Sequence, residues 1–195
     1  MIKKSLLAIA VSSAVMITAC NSTNETTSNN TAKAVAEKPV AALDASAQAN
    51  KLFDELYKAG VMRSPMFQTY LGIKDDYDKW NDISEANTLK ELEITKQDLA
   101  TVKAIDVSQL DAQTKISHTL YVQRLENSIA DHKWRFHSYP VNQMFGLHSQ
   151  IPAFLINQHS IANEKEAQDY IARVKGTEKL LSQLVDNLKL REARG

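Results

Sequence analysis

The chain has 195 residues, of which 44% are hydrophobic and 24% charged, and its 23 basic and 23 acidic residues leave no formal net charge. A nucleic-acid-binding protein needs a basic surplus on one face, so this balance argues against a nucleic-acid partner. Five glycines and four prolines are too few for a collagen-like or turn-dense β architecture, and a single cysteine excludes an internal disulfide framework or a multi-cysteine metal site.

The first 19 residues have the pattern of a secretory signal peptide. Lys3 and Lys4 supply the positive start, and residues 6–17 form an apolar run interrupted by two serines. This run is shorter than the roughly 20 apolar residues that a transmembrane helix needs. It therefore predicts a cleaved signal peptide over residues 1–19.

The signal peptide is followed by the cysteine. Residues 17–20, Ile-Thr-Ala-Cys, resemble the bacterial lipobox. The resemblance implies that Cys20 carries a diacylglyceryl group and palmitate-type acyl chains and becomes the mature N-terminus, with the two chains that stable anchoring needs. Asn21 resembles the residue found there in outer-membrane lipoproteins, which implies an envelope protein that faces the periplasm. The alternative is an ordinary signal peptide with an incidental cysteine.

Residues 20–43 are predicted to comprise the lipidated cysteine and a flexible tether. Between residues 21 and 31 every residue except Glu25 is Ser, Thr or Asn, and such a stretch cannot bury enough apolar area to become ordered. Removal of residues 1–19 takes away two lysines and no acid, which leaves 21 basic and 23 acidic residues. Membrane binding is therefore predicted to come from the lipid and not from charge.

Apolar residues recur at helical spacing from about residue 44, which predicts an all-α domain over residues 44–195. No stretch of useful length alternates with the period of two that a strand would show. Capping residues and glycines divide the pattern into helices. The first predicted helix ends at Gly60, and the second runs from Ser64 to Gly72. The third begins near Ser84, and the fourth, predicted to be the longest, begins at Asp111. The last two run from Asn163 to Gly176 and from Thr177 to Arg194. Residues 73–83 are predicted to be a loop, and residues 139–159 a buried, turn-rich crossing with a short helix.

The residues by themselves identify no catalytic group and no metal ligand. A zinc-peptidase helix needs two histidines four residues apart with a glutamate between them, and no pair of the five histidines has that spacing. The aspartates between residues 75 and 82 lack the glycine and distal glutamate of a calcium loop. A metal site assembled across a homo-oligomer from His118, His132 or His148 is the weakest alternative. The aromatic residues between 134 and 154 are predicted to belong to the core in preference to a ligand groove.

Several strings in the folded region resemble one family in their order and spacing. They are residues 64–72, the aspartate-rich loop with Trp80, residues 139–148 (Tyr-Pro-Val-Asn-Gln-Met-Phe-Gly-Leu-His), residues 152–155 and residues 167–173. Together they resemble the N-terminal portion of bacterial lipoproteins grouped as domain of unknown function 885. The resemblance covers the chain from about residue 46 to residue 195.

That family is similar to the gluzincin type of zinc metallopeptidases, which are long and mostly helical. The resemblance implies a His-Glu…Gly-His zinc motif in the full-length relatives, in a region beyond residue 195, where the glutamate activates the metal-bound water. No residue of this chain is therefore assigned a catalytic or metal role, and zinc as a cofactor is implied for the relatives alone. Asn142, Gln143, Gly146 and His148 lie in the family's N-terminal string. They either line the substrate side of the fold or pack the crossing, and packing is favoured.

Two interpretations from different classes follow. The favoured one is a lipid-anchored fragment that is inactive alone. It is the helical N-terminal portion of a larger metallopeptidase-like fold and is incomplete at its C-terminus. Its predicted partner is the missing C-terminal half of the same fold. A His-Glu…Gly-His coding stretch in the DNA after codon 195 would support it. The other is a complete, non-enzymatic helical lipoprotein that acts as a binding module, since about 150 residues can close one core. Both predict the membrane as a partner through Cys20 and a peptide as a candidate ligand.

Overall fold

The structure is a computed structural model that describes residues 40–194. Six α-helices and two short 3-10 helices occupy this part of the chain, with no strand in it, which confirms the all-α prediction. The helices are α1 (Val40–Met62), α2 (Pro65–Tyr70), α3 (Glu85–Lys103), α4 (Ala112–Asp131), α5 (Leu147–Asn157) and α6 (Glu164–Glu192), and the 3-10 helices are Val107–Gln109 and His132–Trp134. The predictions for the signal peptide, for Cys20 and for the tether up to residue 39 lie outside the described residues. Within residues 40–194, no helix combines the length and apolar character needed to cross a bilayer.

Four helices begin at the capping residues that the sequence predicts. In each case the side-chain oxygen of the cap accepts a hydrogen bond from the backbone N–H three residues later, which satisfies one of the free donors at a helix start. The caps of α2, α3, α4 and α6 are Ser64, Ser84, Asp111 and Asn163. Residues 73–83 form the predicted loop between α2 and α3.

Most of the buried apolar residues lie in two clusters. The first joins α1, α3 and α4, where Phe53 stacks on Tyr121 with 5.2 Å between ring centroids and Val102 is fully buried. The second joins the 73–83 loop, α5 and α6. Its buried members are Ile151, Leu155 and Leu180, and Trp80 and Ile83 of the loop pack against them. Helix α6 is thus held in place by α5 and by a loop that comes from the other half of the sequence.

Helix α6 is one continuous helix of 29 residues, so two predictions are wrong. The helix does not break between Gly176 and Thr177, and α4, with 20 residues, is not the longest helix. Gly176 is tolerated inside α6 because its missing side chain leaves room for Trp80. A Cβ atom at position 176 would lie 3.2 Å from Cδ1 of that indole. Thr177 donates its hydroxyl to the carbonyl of Arg173 at 3.1 Å, within the same helix.

The segment from residue 139 to residue 159 is buried only in its second half. The predicted short helix is α5, and it buries Ile151, Phe154 and Leu155. The prediction of a buried crossing is wrong for the first half, where Tyr139 is 90% exposed and Phe145 is also exposed. Here the backbone N–H of Asn142 donates to the carbonyl of Phe145 at 2.8 Å, so a local turn satisfies these groups without contact with the core.

Candidate functional site

The guanidinium of Arg173 is fully buried where α2, the 73–83 loop and α6 meet. It donates to the Thr69 hydroxyl at 2.7 Å, to the Lys79 carbonyl at 3.0 Å and to Nδ1 of His159 at 3.0 Å. Two further backbone carbonyls lie 3.4 Å from its Nη2 atom. A planar fork with five N–H donors can satisfy this many acceptors at once, and no other side chain can do so.

Among the described residues, no carboxylate forms an ion pair with Arg173. Its charge instead faces aromatic rings: Cζ lies 5.0 Å from the ring centroid of Phe154, 5.1 Å from that of Tyr77 and 5.7 Å from that of Trp80. Burial lowers the pKa of Arg173 to about 10, so the group remains a cation at neutral pH. Neutral acceptors and ring faces therefore stabilise a buried charge that has no directly paired carboxylate, and the charges of Asp78 and Asp169 farther away also favour the cation.

His159 is held neutral beside this cation. Its Nε2 atom lies 3.2 Å from the carbonyl of Glu166, which can only accept, so Nε2 carries the proton and Nδ1 accepts from Arg173. The imidazole also packs on Tyr77, with 3.9 Å between ring centroids. Burial lowers the pKa of His159, and the Arg173 charge lowers it further. This tautomer leaves no free ring nitrogen for a metal ion or for proton transfer.

The carboxylate of Glu166, close to His159, is also engaged in hydrogen bonds. The carboxylate of Glu166 binds the Lys74 ammonium at 2.6 Å and accepts from the Ala162 N–H at 2.8 Å and from the Asn163 amide at 3.1 Å. The bond to Lys74 holds the pKa of Glu166 below its usual range. With its acid and its histidine both engaged, the Arg173 centre fits a structural role and provides no nucleophile with an adjacent base.

Arg173 was not among the predicted site residues. One signal could have identified it: Arg173 lies three residues after Tyr170 and seven before Leu180, on the face of α6 that packs inward. An arginine on a buried helix face needs several acceptors around it. Those acceptors come from α2 and the 73–83 loop, and no spacing along α6 reveals them.

The four residues singled out from the 139–148 string do not line a common cleft. Asn142 accepts from the N–H groups of Met144 and Phe145, both at 2.8 Å, and lies at the surface, as do Gln143 and His148. Gly146 is buried at the start of α5. Whether these four residues line the substrate side of the fold or pack the crossing stays a prediction.

Gly146 is required by the backbone of this turn. Its φ of +146° is one that residues with a side chain rarely adopt, and a Cβ atom there would lie 3.0 Å from Nδ1 of His148. The same atom would also lie 3.1 Å from the carbonyl oxygen of Pro140 and 3.1 Å from Cα of Val141. The glycine therefore permits a close approach between the start of α5 and the chain before it.

The described part of the chain does not fit a zinc site. Within residues 40–194, no three His, Cys, Asp or Glu side chains lie close enough together to hold a metal ion. His118 contacts the Val102 carbonyl through Nε2 at 3.0 Å, and His148 lies at the surface. Burial lowers the pKa of His132. The homo-oligomeric metal site stays a prediction, and we assign no catalytic step to these residues.

Helix α6 also carries an apolar face that the described residues leave partly uncovered. Five apolar residues recur at intervals of three, seven, four and three positions, which places them on one side of the helix next to its buried side. Each of them is between 38% and 53% exposed. They are Ile171, Val174, Leu181, Val185 and Leu188, and we call them the α6 stripe.

Comparison with known proteins identifies one family. The model of a family described as "Bacterial protein of unknown function (DUF885)" matches residues 65–195. No curated protein matches the chain, and no solved structure matches it.

Proposed function

Since the chain belongs to the DUF885 family of bacterial proteins, we propose that its helices form one wall of a larger zinc metallopeptidase-like fold that a lipid on Cys20 anchors in the cell envelope. The wall contributes packing surface and leaves catalysis to other parts of that fold. The metallopeptidase likeness and the lipid anchor both come from sequence resemblance. The observation that carries the proposal is the α6 stripe.

The stripe has the geometry of an interface between helices. Apolar residues at intervals of three and four positions form the seam along which a second helix packs. Removal of apolar surface from water is favourable by about 25 cal/mol per Å², so a continuous row of half-exposed side chains favours a partner. The row lies beside buried Leu180 and Leu184, so a helix packed there would extend the existing core.

Helix α4 also has two exposed apolar residues. Ile116 and Leu120, one helical turn apart, are each more than half exposed. The uncovered residues on α4 and α6 support further packing layers on this set of helices.

A set of matched variants of the full chain tests this role. The triple variant Val174→Gln, Leu181→Gln, Val185→Gln makes the stripe polar, and Lys175→Gln, Ser182→Gln, Asp186→Gln makes the same changes one position along, on exposed polar residues. We expect the parent to bind a hydrophobic dye, the stripe variant to show roughly twofold lower dye fluorescence, and the control to match the parent. Circular dichroism checks that helicity is unchanged.

Equal dye fluorescence in all three proteins would contradict the proposed role of the stripe. A sharp, cooperative thermal transition of the parent without dye binding would favour the alternative function, a non-enzymatic helical lipoprotein that binds a partner.

A further inference from the structure

A cavity of about 650 Å³ lies between the segment that follows α4 and the last turns of α6. Its walls include Phe136, Tyr139, Val141, Leu188, Arg191 and Arg194, and we call it the Phe136 groove. A volume of this size is in the range of sites that bind small molecules or short peptide ends. The groove belongs neither to the Arg173 centre nor to the turn at residues 142–146.

Three arginine side chains lie close to the Phe136 ring in the groove. Above the Phe136 ring, Cζ of Arg135 lies 4.2 Å from the centroid, that of Arg194 at 4.3 Å and that of Arg191 at 5.8 Å. Arg135 is paired with Glu85 at 2.8 Å. Among the described residues, neither Arg191 nor Arg194 forms an ion pair with a carboxylate, although Glu192 also lines the groove, so both guanidinium groups can pair with an anionic ligand.

Two hydrogen bonds to backbone carbonyls hold the guanidinium of Arg191 in place, and its Nε donor is unused. Its Nη1 donates to the Asn187 carbonyl at 3.1 Å and its Nη2 to the Arg135 carbonyl at 3.0 Å. Its Nε atom is buried and has no hydrogen-bond partner in the part of the chain that the structure describes. The rigid charge of Arg191 favours an anion beside it.

The opposite wall of the groove offers backbone groups to a ligand. Residues 138–141 lie outside any helix, and their backbone makes no hydrogen bond with the described residues. Pro140 has no N–H, but the N–H groups of Ser138, Tyr139 and Val141 and the carbonyls of the segment are groups with which a peptide backbone can pair. Apolar side chains at Val141 and Leu188 face the same cavity and suit an apolar residue of such a peptide.

From these observations we propose that the Phe136 groove binds the C-terminal end of an extended apolar peptide. The terminal carboxylate lies between Arg191 and Arg194, the last side chain packs on Tyr139, Val141 and Leu188, and the peptide backbone follows residues 138–141. A guanidinium is the side chain best matched to a carboxylate, since its donors can bind both oxygens. This proposal rests on the groove alone and does not depend on the proposed function.

The test uses the purified full chain and the fluorescently labelled tripeptide Ala-Ala-Leu in two forms, with a free C-terminal carboxylate and with a C-terminal amide. We expect the carboxylate form to bind and the amide to bind about tenfold more weakly, because the amide has no charge for the two arginines. Arg194→Gln should weaken binding of the carboxylate form by a similar factor. Tyr139→Ala should weaken both forms, and because the side chain is 90% exposed we expect the variant to keep the circular dichroism of the parent.

The matched control is Lys189→Gln, which removes one positive charge from the same end of α6 at an exposed residue outside the groove. It should leave binding unchanged, as should the triple substitution of the α6 stripe, so the two proposals fail separately. Equal affinity for the two tripeptides, unchanged binding by Arg194→Gln, or no binding of either form would overturn the proposal.

Discussion

At the scale of single residues, Arg173 and His159 constrain each other's protonation. Arg173 donates to Nδ1 of His159 at 3.0 Å, and a proton on Nδ1 would replace that hydrogen bond with contact between two cations. Nε2 is already committed to the Glu166 carbonyl, so the ring has no other nitrogen to offer. Burial penalises a second charge in the same place. The folded state therefore keeps His159 neutral at pH values where a free histidine is protonated.

This linkage predicts that the protein loses stability as the pH falls below the unfolded-state pKa of His159, about 6.5. In that range the unfolded chain takes up a proton that the folded chain does not, so the free energy of unfolding decreases until the pH reaches the lowered pKa of the folded state. His159→Gln removes the titration and keeps an acceptor for Arg173. Urea midpoints measured between about pH 7.5 and 5 should fall more steeply in the parent than in this variant.

The control for this prediction is His148→Gln, at an exposed histidine. It should keep the pH dependence of the parent. Burial also lowers the pKa of His132. His132 is present in the parent and in both variants, so its contribution to the pH dependence of stability is the same in all three and cancels in the comparison. Parallel curves for the parent and His159→Gln would show that the Arg173 contact does not control the protonation of His159.

At the scale of helices, two glycines predict opposite effects of the same substitution. Alanine stabilises a helix interior by about 1 kcal/mol relative to glycine. At Gly60 in α1 the nearest atom to an added Cβ is Nη2 of Arg63, 4.0 Å away, so Gly60→Ala should raise the free energy of unfolding by about 0.5–1 kcal/mol. Denaturant unfolding of both alanine variants measures the two effects side by side.

At Gly176 the added Cβ would lie 3.2 Å from Trp80, whose Nε1 donates to the Arg173 carbonyl at 2.7 Å. The indole is anchored by that bond and by its contact with Phe154, 5.2 Å between ring centroids, so it cannot move aside freely. Overpacking of this kind costs about 1–3 kcal/mol, which outweighs the helix preference. Gly176→Ala should therefore destabilise the protein, and a gain equal to that of Gly60→Ala would contradict the packing argument.

The same glycine shows which parts of the fold a sequence can predict. Helix starts were predictable because a cap is a local bond, from Asp111 or Asn163 to an N–H three residues later. The continuity of α6 was not, because Gly176 is explained by Trp80, which lies far away in the sequence. Burial of Arg173 was readable in part from its position on α6, but its acceptors come from other segments. Local chemistry was therefore predictable, and contacts distant in sequence were not.

At the scale of the whole molecule, the folded unit is larger than the region that identifies the family. The family match begins at residue 65, after α1 has ended. Yet α1 supplies Phe53 and Ala49 to the first apolar cluster, where they pack with Val102 of α3 and Leu125 of α4. Truncation at residue 65 would expose this cluster, so the helix before the matched region is part of the same cooperative structure.

The proposed attachment of that unit to a membrane predicts a requirement for Cys20. The resemblance of residues 17–20 to a lipobox implies a diacylglyceryl group in thioether linkage to the thiol of Cys20, and its two acyl chains would provide stable anchoring. We expect the parent, expressed in a bacterium, to incorporate radiolabelled palmitate and to sediment with membranes. Cys20→Ser should incorporate no label and should not be processed after residue 19.

A thiol at another position separates the role of the sequence context from that of the cysteine itself. The double variant Cys20→Ser, Ser22→Cys keeps one cysteine but moves it two residues beyond Ile-Thr-Ala, away from the lipobox-like context. It should also fail to incorporate palmitate, since recognition depends on the residues that precede the cysteine. Labelling of Cys20→Ser would show that the lipid is not attached at this residue. If the double variant incorporates palmitate and Cys20→Ser does not, a thiol near the N-terminus is sufficient and the lipobox-like spacing is incidental.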